Sequence, residues 1–252
     1  MPPKGELVLQ VIQDLISMAL EGLHLMTWAD MGAEMAEKAF LSTGEEKVAG
    51  LLLAAGSSTR MGQPKQLLSV GGQTLLRKVL GEALNSDLDK VVLVLGYRAE
   101  EIRKRLGRVV GDPRLAVVEN SGYEKGISSS IIVGLSTIQE SHGHVMILLG
   151  DMPFIDSGLV NHLIRRYLDS GSPLGAIKKG TRRSHPVIFS HRLYHELLAL
   201  KGDRGARELF RKYSDLACLV EPEGFFDDRD IDTPEDFAGF QTTLCSPDSQ
   251  GT

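Results

Sequence analysis

Cysteine is scarce in this chain. Only Cys218 and Cys245 occur in 252 residues, and neither has a neighbour at metal-ligand spacing. A disulfide staple is therefore not expected, and a reduced, cytoplasmic setting fits best. Basic charge is not in excess either: 28 Lys and Arg stand against 33 Asp and Glu, a net charge of −5. Nucleic-acid surfaces gather cations to displace counterions, so that balance argues against a nucleic-acid partner and for a small one. No apolar stretch reaches the length of a membrane span, and the start lacks a basic n-region and a small-residue cleavage site, so no membrane partner is expected. Internal repeats are missing, as is low complexity, apart from a polar end that is expected to form a disordered tail over 244–252. No acid–base pair or nucleophilic triad is recognisable. His142 and His144 flank a strand start with no third ligand nearby, which makes them loop residues rather than a metal pair.

With 42% hydrophobic and 24% charged residues, the composition is that of an ordinary globular protein. Residues 1–46 differ from the rest. Leu7, Val8, Val11, Ile12, Leu15, Ile16, Ala19, Leu20 and Leu23 recur at helical spacing, and a second helical pattern runs from Trp28 to Phe40. A helical extension is expected there, with a domain over 47–243 after it. From Val48 onward short apolar runs (VAGLLLA, KVVLVLG, LAVVEN, VMILLGD) take turns with helical patterns (TLLRKVLGEAL, AEEIRKRLG, SSSIIVGLSTIQE). Strands without polar alternation that alternate with helices predict an α/β fold, a mostly parallel sheet covered on both faces. Ligands of such sheets bind beyond the carboxyl ends of the strands.

The stretch Leu51–Lys65, LLLAAGSSTRMGQPK, is where the first such strand stops. Gly56 and Gly62 let backbone N–H groups approach an anion, Ser57, Ser58 and Thr59 add small donors, and Arg60 and Lys65 bring charge. The spacing is neither G-x-x-x-x-G-K-[ST] nor G-x-G-x-x-G. From Leu53 to Lys65 it instead resembles the signature of the nucleotidyltransferases that act on molybdopterin, L-A-A-G-x-S-x-R-M-G-x-P-K, with Ser58 and Thr59 filling the S-x pair. Leu53, Ala54, Ala55, Gly56, Ser57, Ser58 and Gly62 are accordingly candidate nucleotide-binding residues, with Arg60 and Lys65 placed to neutralise leaving pyrophosphate.

Other candidates also fall at strand ends. Asp151 follows VMILLG and precedes Met152 and Pro153. A carboxylate at the tip of a buried strand suits Mg²⁺ held between protein and nucleotide phosphates, while Asp156 or Ser157 is available to cap the next helix. The G-D-M-P string also resembles the family's metal-binding segment. Asn120, Gly126, Ser129 and Ser130 resemble its second nucleotide motif, with Ser121 where a Pro is usual. Arg182-Arg183-Ser184-His185-Pro186 looks like its G-H-P segment with Ser184 in the place of Gly, so His185 and Pro186 are expected on the side of the pterin acceptor. Gly202, Asp203 and Gly205 resemble its G-D-x-G loop. Asp232, ahead of the cap Thr233 and of Pro234, is a candidate second metal ligand.

The resemblance covers about Val48 to Phe240 and identifies the chain as a member of the molybdenum cofactor cytidylyltransferase family, the MobA/MocA-like nucleotidyltransferases. It implies a Rossmann-like three-layer, GT-A-like fold, and transfer of CMP from CTP to molybdenum cofactor with release of pyrophosphate and Mg²⁺ as cofactor. A molybdoenzyme or its maturation chaperone is an implied further partner. CTP rather than GTP follows from Ala54-Ala55-Gly56, the form associated there with cytosine. Guanylyl transfer to the same acceptor, a sugar-phosphate nucleotidyltransferase and a non-catalytic nucleotide-binding maturation factor are the alternatives.

Overall fold

The computed structural model describes residues 46–224 and 226–245. The helical extension expected over 1–46 lies outside the described residues except for Glu46, and so does the tail from 246 onward. Strand β1 (Val48–Ala54) begins at the expected residue and is buried along its whole length. It is followed by a small hairpin of β2 (Ser69–Val70) and β3 (Gln73–Thr74) and by helix α1 (Leu75–Asn85), capped by Thr74 Oγ1 accepting from the Arg77 N–H. Then come β4 (Lys90–Leu95), α2 (Ala99–Leu106), β5 (Leu115–Glu119), α3 (Ile127–Leu135), β6 (His144–Leu149) and α4 (Ser157–Ser170). The second half contains β7 (Leu174–Lys179), β8 (Arg182–Ser190), α5 (Tyr194–Leu198), α6 (Arg207–Lys212), β9 (Ala217–Val220) and α7 (Pro234–Cys245).

Seven strands form one sheet in the order β5-β4-β1-β6-β8-β7-β9. The pairs β1–β4, β1–β6, β4–β5 and β7–β9 are parallel, and only β8 runs against its neighbours. This is the mostly parallel sheet that the apolar runs predict. Successive residues of β1 face opposite sides: Leu52 and Ala54 join a core with α1, α2 and α4, whereas Leu51 and Leu53 join a core with α3, α5 and α6. Covering on both faces explains why the strands carry no polar alternation.

A third, smaller cluster bears directly on the site. Leu68, Val70, Leu75, Ile231 and Phe240 pack together, so that the β2–β3 hairpin, the start of α1 and helix α7 hold the segment around Ile231. The Ile231 N–H also donates to the Asp151 carbonyl (3.0 Å). The strand order reverses at β1, between β4 and β6, and the crevice at their carboxyl ends is where this segment arrives.

Candidate functional site

The loop after β1 folds into two 3₁₀ turns, Thr59–Met61 and Lys65–Leu67. Ser58 (φ 54°) and Gly62 (φ 67°) both take the left-handed conformation that lets the chain double back. Ser58 Oγ accepts from the Lys65 N–H (3.2 Å), which fixes the backbone of the lysine at the loop's end. The Lys65 ammonium then reaches two carboxylates: it donates to Asp151 Oδ2 and to Asp232 Oδ1 (2.7 Å). Arg60 Nη2 donates to Asp232 Oδ2 (2.7 Å) from a largely exposed position. Four residues named from the sequence, Arg60, Lys65, Asp151 and Asp232, thus meet across 172 residues of chain separation.

Asp230 was not among those candidates. Oxygens of Asp151, Asp230 and Asp232 lie within 4.8 Å of one another, an arrangement that could hold a metal ion. The available signal was the spacing: in an extended segment residues two apart share a face, and the buried Ile231 between the two aspartates marks which face is turned inward. Burial, then the charges of Asp151 and Asp232, push the Asp230 pKa above the ordinary carboxylate value. For Asp232 burial works upward too, but the Lys65 hydrogen bond and the Lys65 and Arg60 charges outweigh it and hold its pKa low. Burial alone would lower the Lys65 pKa; the two carboxylates raise it instead. Asp151 Oδ1 is buried with no hydrogen-bond partner among the described residues. Asp156 caps α4 by accepting from the Leu159 N–H (2.7 Å), so Asp151 has no helix-capping duty there.

Leu53, Ala54, Ala55 and Gly56 lie at the end of β1, where Ala55 is buried and its carbonyl accepts from the Tyr97 N–H (3.0 Å). Gly96, beside it, has no room for a side chain: a Cβ there would stand 2.8 Å from the Ala55 carbonyl oxygen and from Tyr123 Cβ. Asn120 sits at the end of β5. Its amide donates to Ser129 Oγ (2.8 Å) and Ser130 Oγ (3.0 Å), and its Oδ1 accepts from the Gly122 N–H (2.9 Å). That side chain therefore binds the β5–α3 loop together. Gly126 (φ 96°) opens α3 against the Gly202–Asp203 loop, where an added Cβ would lie 2.5 Å from Gly202 C and from Asp203 Oδ1. Asp203 does not cap the helix that follows it. Its carboxylate accepts instead from the Ile127 N–H at the start of α3 (3.2 Å), because Gly202 (φ 65°) and Gly205 (φ 53°) turn the loop back.

His185 and Pro186, joined by a cis peptide bond, lie inside β8. The β7–β8 register jumps from Ala176↔Val187 to Ile177↔Ser184, so the two residues occupy a bulge. A proline is tolerated there because no ladder donor is required of it. His185 Nδ1 lies 3.5 Å from the Ile147 carbonyl. Burial, more than the Ile147 carbonyl and the Asp151 charge restore, drives its pKa below the usual imidazole value, so the ring is neutral at pH 7. His185, Asp203, Gly205 and Asp230 border one cleft of about 940 Å³, which also carries Arg183 and Arg207. The Arg183 guanidinium stacks over Phe210 at 4.9 Å; burial and the neighbouring Arg207 charge both lower its pKa.

A parallel-sheet crevice at the reversal of strand order, with Lys65 and Arg60 among three clustered carboxylates and with Asp230 shared by the cleft that carries Arg183 and Arg207, defines a nucleotide-dependent transferase of the α/β class. The chain belongs to the family of the MobA-like NTP transferase domain, whose model matches residues 50–216. It is 30% identical over 200 residues to nicotine blue oxidoreductase of Paenarthrobacter nicotinovorans, covering 75% of this chain and 93% of that protein. It is 31% identical over 205 residues to purine catabolism protein PucB of Bacillus subtilis, with the same shares, 75% and 93%. A Mycobacterium tuberculosis H37Rv protein solved in complex with manganese is 26% identical, with a TM-score of 0.64 over 78% of this chain and 99% of that one. A nucleotidyl transferase from Methanothermobacter, at 19% identity and a TM-score of 0.66 over 79% of this chain and 97% of that one, shares the fold. Among the described residues no helix is long and apolar enough to cross a membrane.

Proposed function

We propose that this nucleotidyltransferase transfers CMP from CTP to the terminal phosphate of molybdenum cofactor, releasing pyrophosphate, in the cytoplasm and with Mg²⁺. The observation that carries the reading is the Lys65 ammonium held between Asp151 and Asp232, clustered with Asp230, which itself borders the cleft that carries Arg183 and Arg207. An acceptor phosphate oxygen forms a bond to the α-phosphorus, the bond from that phosphorus to the β-bridging oxygen breaks, and pyrophosphate leaves with the electron pair. A phosphate nucleophile is already an anion at pH 7, so no general base is needed, and the absence of a recognisable triad in the sequence is no obstacle.

The residues fit a divalent cation: three clustered carboxylates outnumber the single ammonium beside them, and the buried Asp151 Oδ1 lacks a partner among the described residues. Asp151, Asp230 and Asp232 would hold it, and bound Mg²⁺ would neutralise phosphate charge at the reacting phosphorus. Lys65 and Arg60 draw the pyrophosphate portion toward the loop. The glycines and serines of 56–62 supply backbone and hydroxyl donors, and Asn120 with Ser129 and Ser130 shapes the nucleoside side. Arg183 and Arg207 are neighbours in the acceptor cleft, where the charge of Arg207 lowers the Arg183 pKa, and an anionic acceptor offsets that like-charge repulsion. His185, Pro186 and the Gly202–Gly205 loop line the acceptor side. The cytosine preference rests on the methyl group of Ala55, buried beside Gly96, which narrows the base floor by an amount worth about 1–3 kcal/mol.

The test is to offer the protein each of the four nucleoside triphosphates with molybdenum cofactor and Mg²⁺ and to follow pyrophosphate. Release with CTP is expected. Release with GTP alone overturns the base assignment, and release with none, or only with a sugar phosphate as acceptor, overturns the function.

A further inference from the structure

Behind the loop that carries Lys65 lies a side chain that bears no charge and has no share in the ion pairs of the site. Gln66 is 2% exposed. Its Nε2 donates to the carbonyls of Ala54 and Gly56, each at 3.0 Å. Those carbonyls mark the point where β1 leaves the sheet, since its pairing with β4 ends at Ala54↔Leu95. Beyond that point ladder hydrogen bonds no longer determine the peptide orientations, and one buried amide does so instead.

Two consequences follow for the loop. The Gly56–Ser57 peptide is trans and planar, so a Gly56 carbonyl turned toward Gln66 sends the Ser57 N–H the opposite way. Lys65, next in sequence to Gln66, is also fixed: its own N–H is held by Ser58 Oγ (3.2 Å), and the anchored neighbour directs its ammonium toward Asp151 and Asp232. The amide cannot be turned over, because that would set Oε1 against two carbonyl oxygens. In the orientation that remains, Oε1 is buried without a partner among the described residues. An unpaired acceptor is costly to bury, so Gln66 is a poor choice for core packing alone and a good one for holding two carbonyls.

We propose that Gln66 is a positioning residue for the triphosphate: it fixes the end of β1 so that the Ser57 N–H and the Lys65 ammonium are presented together to the phosphate chain. The inference rests on the nucleotide-transfer reading above. Gln66→Met keeps the size and removes both donors; Gln66→Glu keeps the shape and replaces the donor with an acceptor that opposes both carbonyls. Binding of CTP and of GTP, each with Mg²⁺, is measured for both variants, together with circular dichroism and the KM for triphosphate and for molybdenum cofactor. Both variants are expected to keep the wild-type spectrum. The KM for triphosphate should rise roughly tenfold or more, as misplacement of aligned groups does, while the KM for the acceptor holds. Unchanged triphosphate binding in both variants overturns the proposal. So does an equal rise in both KM values, or loss of the fold in both variants, since either assigns Gln66 to the core alone. Wild-type protein that binds neither triphosphate overturns the functional reading itself, and that result is independent of any Gln66 variant.

Discussion

Lys65 faces two carboxylates directly and a third nearby, and the imbalance makes separate predictions for each residue. Asp151→Ala should abolish turnover while triphosphate still binds weakly, because a metal contributes more to the charge-dense transition state than to the ground state. A variant with the wild-type rate at saturating Mg²⁺ would remove Asp151 from the site. Lys65→Ala should lose at least roughly tenfold in kcat/KM, the smallest effect expected from a charge-assisted phosphate contact of about 1.5–3 kcal/mol. Normal steady-state kinetics would show that the lysine does not meet the phosphates. Asp230 gives a prediction of opposite sign for stability. Its folded-state pKa is raised by burial and by Asp151 and Asp232, so its ionised form destabilises the fold at pH values above that pKa, and the penalty is relieved as pH falls through it. Asp230→Asn should therefore raise the Tm of metal-free protein at pH 7 while weakening divalent-cation binding by calorimetry. An unchanged Tm with unchanged metal affinity would place Asp230 outside the cluster. Asp151, Lys65 and Arg60 were legible as candidates because they sit within one contiguous motif or at one strand tip. Gln66 was not, because its task is defined by carbonyls 12 and 10 residues earlier in the chain.

Elements, rather than single side chains, bring these charges together. Asp230 and Asp232 flank Ile231, which is 2% exposed in the small cluster with Phe240 and the β2–β3 hairpin. Asp236 Oδ2 accepts from the Asp232 N–H (3.1 Å) and the Thr233 N–H (2.8 Å), while Thr233 Oγ1 accepts from the Asp236 N–H (3.2 Å). This reciprocal cap at the start of α7 fixes the end of the segment. Ile231→Ala is expected to cost about 2–5 kcal/mol of stability, the usual range for truncating a buried isoleucine. It should also lower kcat/KM at temperatures where the variant is fully folded, because both flanking carboxylates lose their anchor. A reduced Tm with wild-type kcat/KM would show that the cap alone positions them. Thr233 and Pro234 announced this helix start in the sequence, as did Asp156 for α4. Pro186–Ser190 reads as a strand in the sequence but Arg182–His185 ahead of it do not, and only the bulge opposite Ala176 and Ile177 lets β8 run through them.

The architecture of the described domain was readable because strands buried on both faces must be apolar, and β1, β4 after Lys90 and β6 after His144 are. The direction of β8 was not, since an antiparallel strand between two others is equally buried and carries the same residues. Folding of this domain should depend little on what precedes it. The two large cores are filled, among the described residues, by side chains from Val48 onward, and Val48 itself is 1% exposed. The Val48 N–H donates to Asp89 Oδ2 (2.8 Å), so the first strand is fastened at its start by a residue of the domain. A chain beginning at Glu45 is therefore expected to fold with an unchanged Tm, within the few degrees that a change of about 1 kcal/mol produces in a domain of this size. It should retain full triphosphate turnover, because every residue assigned to the site lies between Leu53 and Asp232. Circular dichroism, thermal melting and pyrophosphate release on the shortened protein check this. Insolubility, a melt that loses cooperativity, or folded protein without activity would each show that residues 1–44 complete the core or the site.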